Sequence, residues 1–396
     1  MFFRIIQKAF LFYAILLFTG CVDPIEPVFE NREGLIYVNA FLATSKELSS
    51  MGVYESVLAL RRNQLEYQFI GGAVVTYLNI DTGEEVVLQE NELDENYELP
   101  DGFTISVGDT WQLTIVLPDG RVYKSSEERV KNPVPILDVR ATYNPELLFS
   151  ESENSFIPGH RISVDLEDPP EDENFYLWQF RSFESLKLCL TCLRGTYYRN
   201  GECIPNPYDR RPLALDEKVL DYGCETKCWR IRYNEDINLF GDEFSNGNRL
   251  TNLPAGNVPL YSKENISVEV QQYSLSSKAY EYYRVINDIV VNNGSLNAPP
   301  PAALIGNMFN PNDDNETVLG RFTAAASSSA SVFINRSEIA EDPIERFRRR
   351  VSESCETVCP SCISGPGPSC PIVLDAVCEE NRFRTGKEPE GWQEID

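Results

Sequence analysis

The chain has 396 residues, with 35 Lys and Arg against 61 Asp and Glu and a single histidine, for a formal net charge of −26. That carboxylate excess argues against nucleic acid as a partner, because phosphates need clustered Lys and Arg, and against adsorption to anionic lipid. Hydrophobic residues at 42% and aromatics at 11% can build packed cores, and the length suits two or three domains.

Residues 1–20 carry the three parts of a lipoprotein signal peptide. Arg4 and Lys8 give the positive start, Ala9 to Phe18 the apolar run, and Thr19-Gly20 the small-residue cleavage site. Cys21 follows directly, which is the acceptor pattern of bacterial lipoproteins: the thiol takes a diacylglycerol with palmitate-type chains and becomes the first mature residue. The alternatives are a plain secretory signal with a chance cysteine and a short membrane anchor, but spanning a bilayer takes roughly 20 helical residues. Cleavage removes Arg4 and Lys8 and no acid, so the mature charge is 33 minus 61, or −28. Residues 21–34 read as a lipidated tether, since Pro24 and Pro27 block helix and the acids keep it solvated.

The predicted fold class is mainly β: an N-terminal immunoglobulin-like β-sandwich, then a larger β-rich second domain with a short helix and cysteine-rich loops. The sandwich spans residues 35–132. Leu35 to Val38, Val53 to Leu60, Ala73 to Leu78, Glu85 to Leu88, Tyr97 to Pro100, Trp111 to Val116 and Val122-Tyr123 are its strands. Asp81-Thr82-Gly83 and Pro118-Asp119-Gly120 supply turn chemistry. Lys131 to Pro135 is a linker. The second domain spans residues 136–345, with strands at Arg161 to Leu166, Phe175 to Phe180 and Ile266 to Val270. Ser276 or Ser277 caps a helix running to Val291, and Ala298-Pro299-Pro300-Pro301 stops it.

Ten cysteines follow Cys21 in two groups of five. Cys189, Cys192, Cys203, Cys224 and Cys228 belong to an insert at residues 186–230. Cys355, Cys359, Cys362, Cys370 and Cys378 belong to a cysteine-rich C-terminal segment at residues 346–396. Export favours disulfides, and two odd groups require a bridge between them if all ten pair. Zinc is the alternative, because Cys189-x2-Cys192 with Cys224-x3-Cys228, and Cys359-x2-Cys362, have ribbon-like spacing.

Catalytic patterns are absent from the sequence. One histidine excludes H-E-x-x-H, and no nucleophile elbow, Walker loop or dinucleotide fingerprint occurs. His160, in Pro158-Gly159-His160, reads as a surface turn residue. Paired carboxylates could act as in glycosidases, but nothing singles out a pair, so the expectation is a non-enzyme with no catalytic, cofactor-binding or metal-ligating residues assigned. Calcium is the one cofactor considered, in the acidic loops Asp165 to Glu173 and Asn310 to Glu316, and solvated turns are the competing reading. Tyr197, Tyr198, Tyr208, Tyr222 and Tyr233 cluster around the cysteine insert, either as a binding surface or as cover for a small core.

Several stretches together resemble a known family. They are the lipobox and tether, Gly72-Ala73-Val74-Val75, Asp168-Pro169 before Asn174-Phe175-Tyr176-Leu177-Trp178, and Gly306-Asn307-Met308-Phe309-Asn310. Val318-Leu319-Gly320-Arg321-Phe322-Thr323-Ala324 and Lys387-Glu388-Pro389-Glu390-Gly391-Trp392 complete the set. In this order they resemble the Bacteroidota outer-membrane lipoproteins of domain of unknown function 4249, with Arg321 where that family often has an aromatic. The resemblance implies an outer-membrane, lipid-anchored protein, on the periplasmic or the surface side. It further implies an accessory ligand-binding or capping subunit of a TonB-dependent barrel. The rivals are a structural or assembly factor of the envelope and a carboxylate-based hydrolase.

Overall fold

A computed structural model describes residues 34–59, 64–92, 94–150, 154–170, 173–193, 196–199, 202–205, 219–234, 236–291, 305–344, 350–351 and 375–394. The signal peptide, Cys21, nearly all of the tether, Tyr208, Cys355, Cys359, Cys362 and Cys370 lie outside these residues.

The first third of the chain forms β1 (Ile36–Ala43), β2 (Ser50–Ala59), β3 (Gln64–Phe69), β4 (Val74–Asn79), β5 (Glu85–Val87), β6 (Gln89–Asn91), β7 (Asn96–Glu98), β8 (Thr110–Val116), β9 (Val122–Ser125) and β10 (Glu128–Arg129). The middle forms β11 (Ile136–Ser150), β12 (Ser155–Glu167), β13 (Phe175–Ser185), β14 (Leu188–Leu193), β15 (Thr196–Arg199), β16 (Glu202–Pro205), β17 (Val219–Gly223), β18 (Trp229–Tyr233), β19 (Asn238–Gly241), β20 (Arg249–Pro259) and β21 (Ile266–Leu275). Helix α1 (Ser277–Val291), β22 (Met308–Phe309), β23 (Val318–Ile334), β24 (Arg350–Val351) and β25 (Arg384–Thr385) follow. The chain is mainly β.

One large curled sheet organises the molecule, in the order β25-β18-β13-β21-β23-β1-β2-β3, with β19 also paired to β13. Two smaller sheets cover one of its faces side by side. The sheet β22-β9-β8-β4-β5 packs on β1, β2 and the first half of β23. Its Val75, Tyr77, Leu113 and Ile115 meet Val38, Leu42, Val53 and Phe322, and the Tyr77 and Phe322 rings stack at 5.3 Å. The sheet β11-β12-β20 packs on β13 and β21, burying Ile162, Val164 and Leu166 against Tyr176, Trp178 and Val268. Strict alternation builds these layers: in β8, Trp111, Leu113 and Ile115 are buried while Gln112 and Thr114 are half-buried.

The expected boundary near residue 132 is crossed by this arrangement. Strand β23 pairs in parallel with β1, from Ile36 opposite Val318 to Ala43 opposite Ala325, and antiparallel with β21 from Ala326 to Ile334. Its first half therefore completes the core of the N-terminal layers and its second half that of the later ones. Gly320 makes the parallel contact possible. Its φ is +91°, and a Cβ there would strike the Val38 carbonyl.

The opposite face of the large sheet is covered only in part, among the described residues. At one end α1 lays Ala279, Tyr280 and Tyr283 on Phe175, Leu177, Tyr273 and Phe41. Ser276 accepts the Ala279 amide at 3.2 Å, the cap expected from sequence. At the other end residues 375–394 dock against β18. Trp392 sits edge-on to Trp229 and Phe333 at 5.6 and 5.3 Å, and Ser267 Oγ donates to the Glu390 carbonyl.

Candidate functional site

Strand β18 reads Trp229-Arg230-Ile231-Arg232-Tyr233, and its period-two alternation buries Trp229 and Ile231 against Phe183 while Arg230 and Arg232 point the other way. The C-terminal segment then adds Arg382, Phe383 and Arg384. Trp229 pairs with Thr385 and Arg230 with Arg384, and the Ile231 amide donates to the Phe383 carbonyl. Together they form an open groove of about 600 Å³ whose walls carry four arginines beside Tyr233, Tyr261 and Phe383. In a chain of net charge −26 this is a local reversal of sign.

Two of the guanidinium groups lie over rings. Arg232 lies 4.1 Å from the Tyr261 centroid, and Arg382 lies 5.4 and 5.5 Å from those of Tyr233 and Phe383. Beneath them Arg336, fully buried, donates to Glu184 at 3.2 Å and to the carbonyls of Ser262 and Pro259. Glu184 also lies 3.6 Å from Arg232, so two guanidinium groups share one carboxylate. Burial pushes Arg336 down to about 10, with Glu184 pulling up and Arg232 pushing further down. It stays cationic at neutral pH, and the ground under the groove keeps a net positive charge.

Disulfides pin the second wall. Cys228 bonds Cys378 across 150 residues, joining the two cysteine groups, while Cys189 bonds Cys224 and Cys192 bonds Cys203. The sulfurs of Cys189, Cys228 and Cys378 lie within 4.8 Å of one another, all engaged in disulfides in this arrangement. Arg384 is held in turn by donating to the Cys189 carbonyl at 2.7 Å.

The other residues singled out from sequence are placed as follows. Tyr233 lines the groove and is exposed, but Tyr222 is buried in the small core around Cys189, Cys192 and Cys228, so it covers a core rather than binding. His160 corrects the turn reading: it lies within β12, buried, and its pKa falls to about 4 through desolvation and nearby Arg336. The turn-like Pro158-Gly159 is there because Gly159 lets β12 approach the Val258 carbonyl of β20 closely. Three carboxylates of the acidic loops are engaged internally. Asp165 accepts from Arg140 and the Asn252 amide, Asp168 from Tyr176 and the Gly247 amide, and Glu316 from Tyr123 and Asn310.

Arg230, Arg232, Tyr261, Arg382, Phe383 and Arg384 were not singled out from the sequence. The available signal was the repeated Arg-x-Arg at 230–232 and 382–384.

No curated protein and no solved structure matches this chain. The family model described as Domain of unknown function (DUF4249) matches residues 22–331, which is 310 of the 396 residues, and the chain belongs to that family.

Proposed function

We propose that this is a lipid-anchored envelope protein that binds a ligand without transforming it, as the accessory subunit of a TonB-dependent outer-membrane transporter. One observation carries the reading: four arginines and three aromatic rings converge on one open groove of a strongly acidic chain. Such a groove selects an anionic or aromatic group by charge and ring contact, and its two walls are fixed by strand pairing and a disulfide. The signal-like residues 1–20 and Cys21 support the anchor, and a tether of about a dozen residues supports work beside a membrane partner.

Two experiments test it. Labelled palmitate is incorporated by the wild type and not by Cys21→Ser. Affinity purification from native membranes brings down a barrel protein in stoichiometric amount; a preparation with no barrel, from cells that show general envelope defects on deletion, selects the assembly-factor reading instead.

A further inference from the structure

The groove opens into a second depression of about 470 Å³ on the partly covered face of the large sheet, and the two share Tyr233, Asn234 and Arg382. The floor of this depression is polar. Gln179 and Gln271 are direct cross-strand partners, with Asn39 and Tyr273 beside them. Arg181 and Glu269, also on β13 and β21, satisfy each other through a two-pronged contact at 2.9 and 3.3 Å.

The charged side chains that line the depression are not closed into ion pairs among the described residues, although the Ser45 hydroxyl draws the Glu47 carboxyl down and Arg181 and Lys46 lie near enough to add to it. Arg382 is exposed, rests on rings, and makes no ion pair among the described residues. Glu47, Asp94 and Glu98 line the same depression and likewise make no ion pair among the described residues. Their hydrogen bonds come from neutral donors: Ser45 to Glu47 at 2.7 Å, and Asn91 to Asp94 and Glu98 at 3.2 and 2.7 Å. One depression thus carries an exposed cation, three carboxylates and carboxamides in its lining. Gln271 already donates to Glu269 and accepts from Tyr273. The exposed Gln179 and Asn39 are therefore the carboxamides that offer a donor and an acceptor side by side, as a peptide unit does, and the volume is that of a small-molecule site.

We infer that this depression takes a short peptide with free termini, its carboxylate at Arg382 and its ammonium group toward Glu47, Asp94 and Glu98. The inference rests on the ligand-binding reading above and names its ligand class. A simple anion would use the arginine alone, leaving the carboxylates without a role. A neutral glycan would use the carboxamides and leave both kinds of charge unmatched.

Equilibrium dialysis of the full mature chain against an equimolar mixture of alanine- and phenylalanine-containing tripeptides tests it, with N-acetylated, C-amidated and doubly capped mixtures and maltotriose alongside. The free mixture is retained, and each cap weakens retention about tenfold or more, the worth of one charge-assisted hydrogen bond. Arg382→Glu weakens the free mixture by the same factor and barely changes the amidated one. Glu47→Lys/Glu98→Lys weakens the free mixture likewise and barely changes the acetylated one. These residues are on the surface, and an unchanged melting temperature shows that the variants fold. Equal retention of capped and free peptides, preference for maltotriose, or no retention of any tripeptide overturns the peptide assignment. The ligand-binding reading falls with it only if chain purified from native membranes also carries no small molecule by mass spectrometry.

Discussion

Arg321 stands where the family often has an aromatic, and the structure gives it a partner whose removal should be costly. Arg321 on β23 and Glu128 on β10 are 5% and 3% exposed, and the guanidinium donates to the carboxylate. Glu128 also accepts from Ser276, the cap of α1, at 3.0 Å and from Asn307 at 3.4 Å. One carboxylate therefore ties together the second sheet, the long shared strand and the helix. Taking one member from a buried pair strands the other charge and costs about 3–5 kcal/mol, whereas replacing both is close to neutral. Arg321→Met should lose that amount at pH 7.5. Arg321→Met/Glu128→Gln should recover most of it, because the new carboxamide carries no charge and its oxygen still accepts from Ser276. The pH dependence has a definite sign. Burial raises the Glu128 carboxyl above its ordinary 4.5, against the pull of Arg321 and Ser276. A raised folded pKa means stability that is complete below the unfolded value and is lost as pH rises through the folded one. Without Arg321 that loss grows, so the deficit of the single variant is largest at pH 7–8 and shrinks toward pH 4. Urea titration followed by tryptophan fluorescence, at both pH values, measures it. Costs that simply add in the double variant, or a deficit independent of pH, would refute the reasoning.

Five further outcomes follow from the same geometry. Asp168 and Asp242 are both buried; desolvation raises the Asp168 carboxyl, Tyr176 and the Gly247 amide pull it down, and Asp242 adds to the rise. Wild-type stability therefore falls as pH rises through that pKa, and Asp242→Asn, which can donate to Asp168, should add about 1–2 kcal/mol at pH 8 and little at pH 4 in melting curves. Gly320→Ala drives a Cβ into the Val38 carbonyl and should cost more than about 4 kcal/mol in urea. Gly83→Ala, in open space at φ +75°, should cost only about 1–2 kcal/mol. Cys228→Ser/Cys378→Ser opens a 150-residue loop, which should cost about 2–5 kcal/mol and make residues 375–394 a preferred site of limited proteolysis. Calcium should leave the melting temperature unchanged, because the oxygens of Asp165, Asp168 and Glu316 are already committed to protein donors.

What was legible in the sequence is what is local. The hairpin through Asp81-Thr82-Gly83 forms with Asn79 accepting the Gly83 amide, and Ser276 caps its helix, because each depends on a few consecutive residues. Strand β23 was not read as a strand from the sequence. Thr323-Ala324-Ala325-Ala326-Ser327-Ser328-Ser329-Ala330-Ser331 has little strand propensity of its own. It is extended because β1 and β21 flank it on both edges, and its small side chains fit where cores meet on either face, Ala324 and Ala326 on one and Ala325 on the other. Its pairing with β1 joins residues 36 and 318, 282 positions apart, and no local pattern records that. Arg321 was visible as a departure from the family, while its reason, Glu128, lay 193 residues away.

The groove was hidden for the same cause, but its composition carries a further implication. Arg230, Arg232, Glu47 and the carboxamide floor lie within residues 22–331, the span that matches the family, whereas Arg382, Phe383 and Arg384 lie beyond it. The family span thus builds the sheet, the floor and the carboxylates. The segment pinned by Cys228 and Cys378 contributes the exposed cation that lines the same depression. That segment is held by main-chain bonds, one disulfide and the packing of Trp392 on Trp229 and Phe333. The charge reversal at Arg382 separates the two contributions directly, since it alters the wall that the segment supplies and leaves the family's own floor and carboxylates in place.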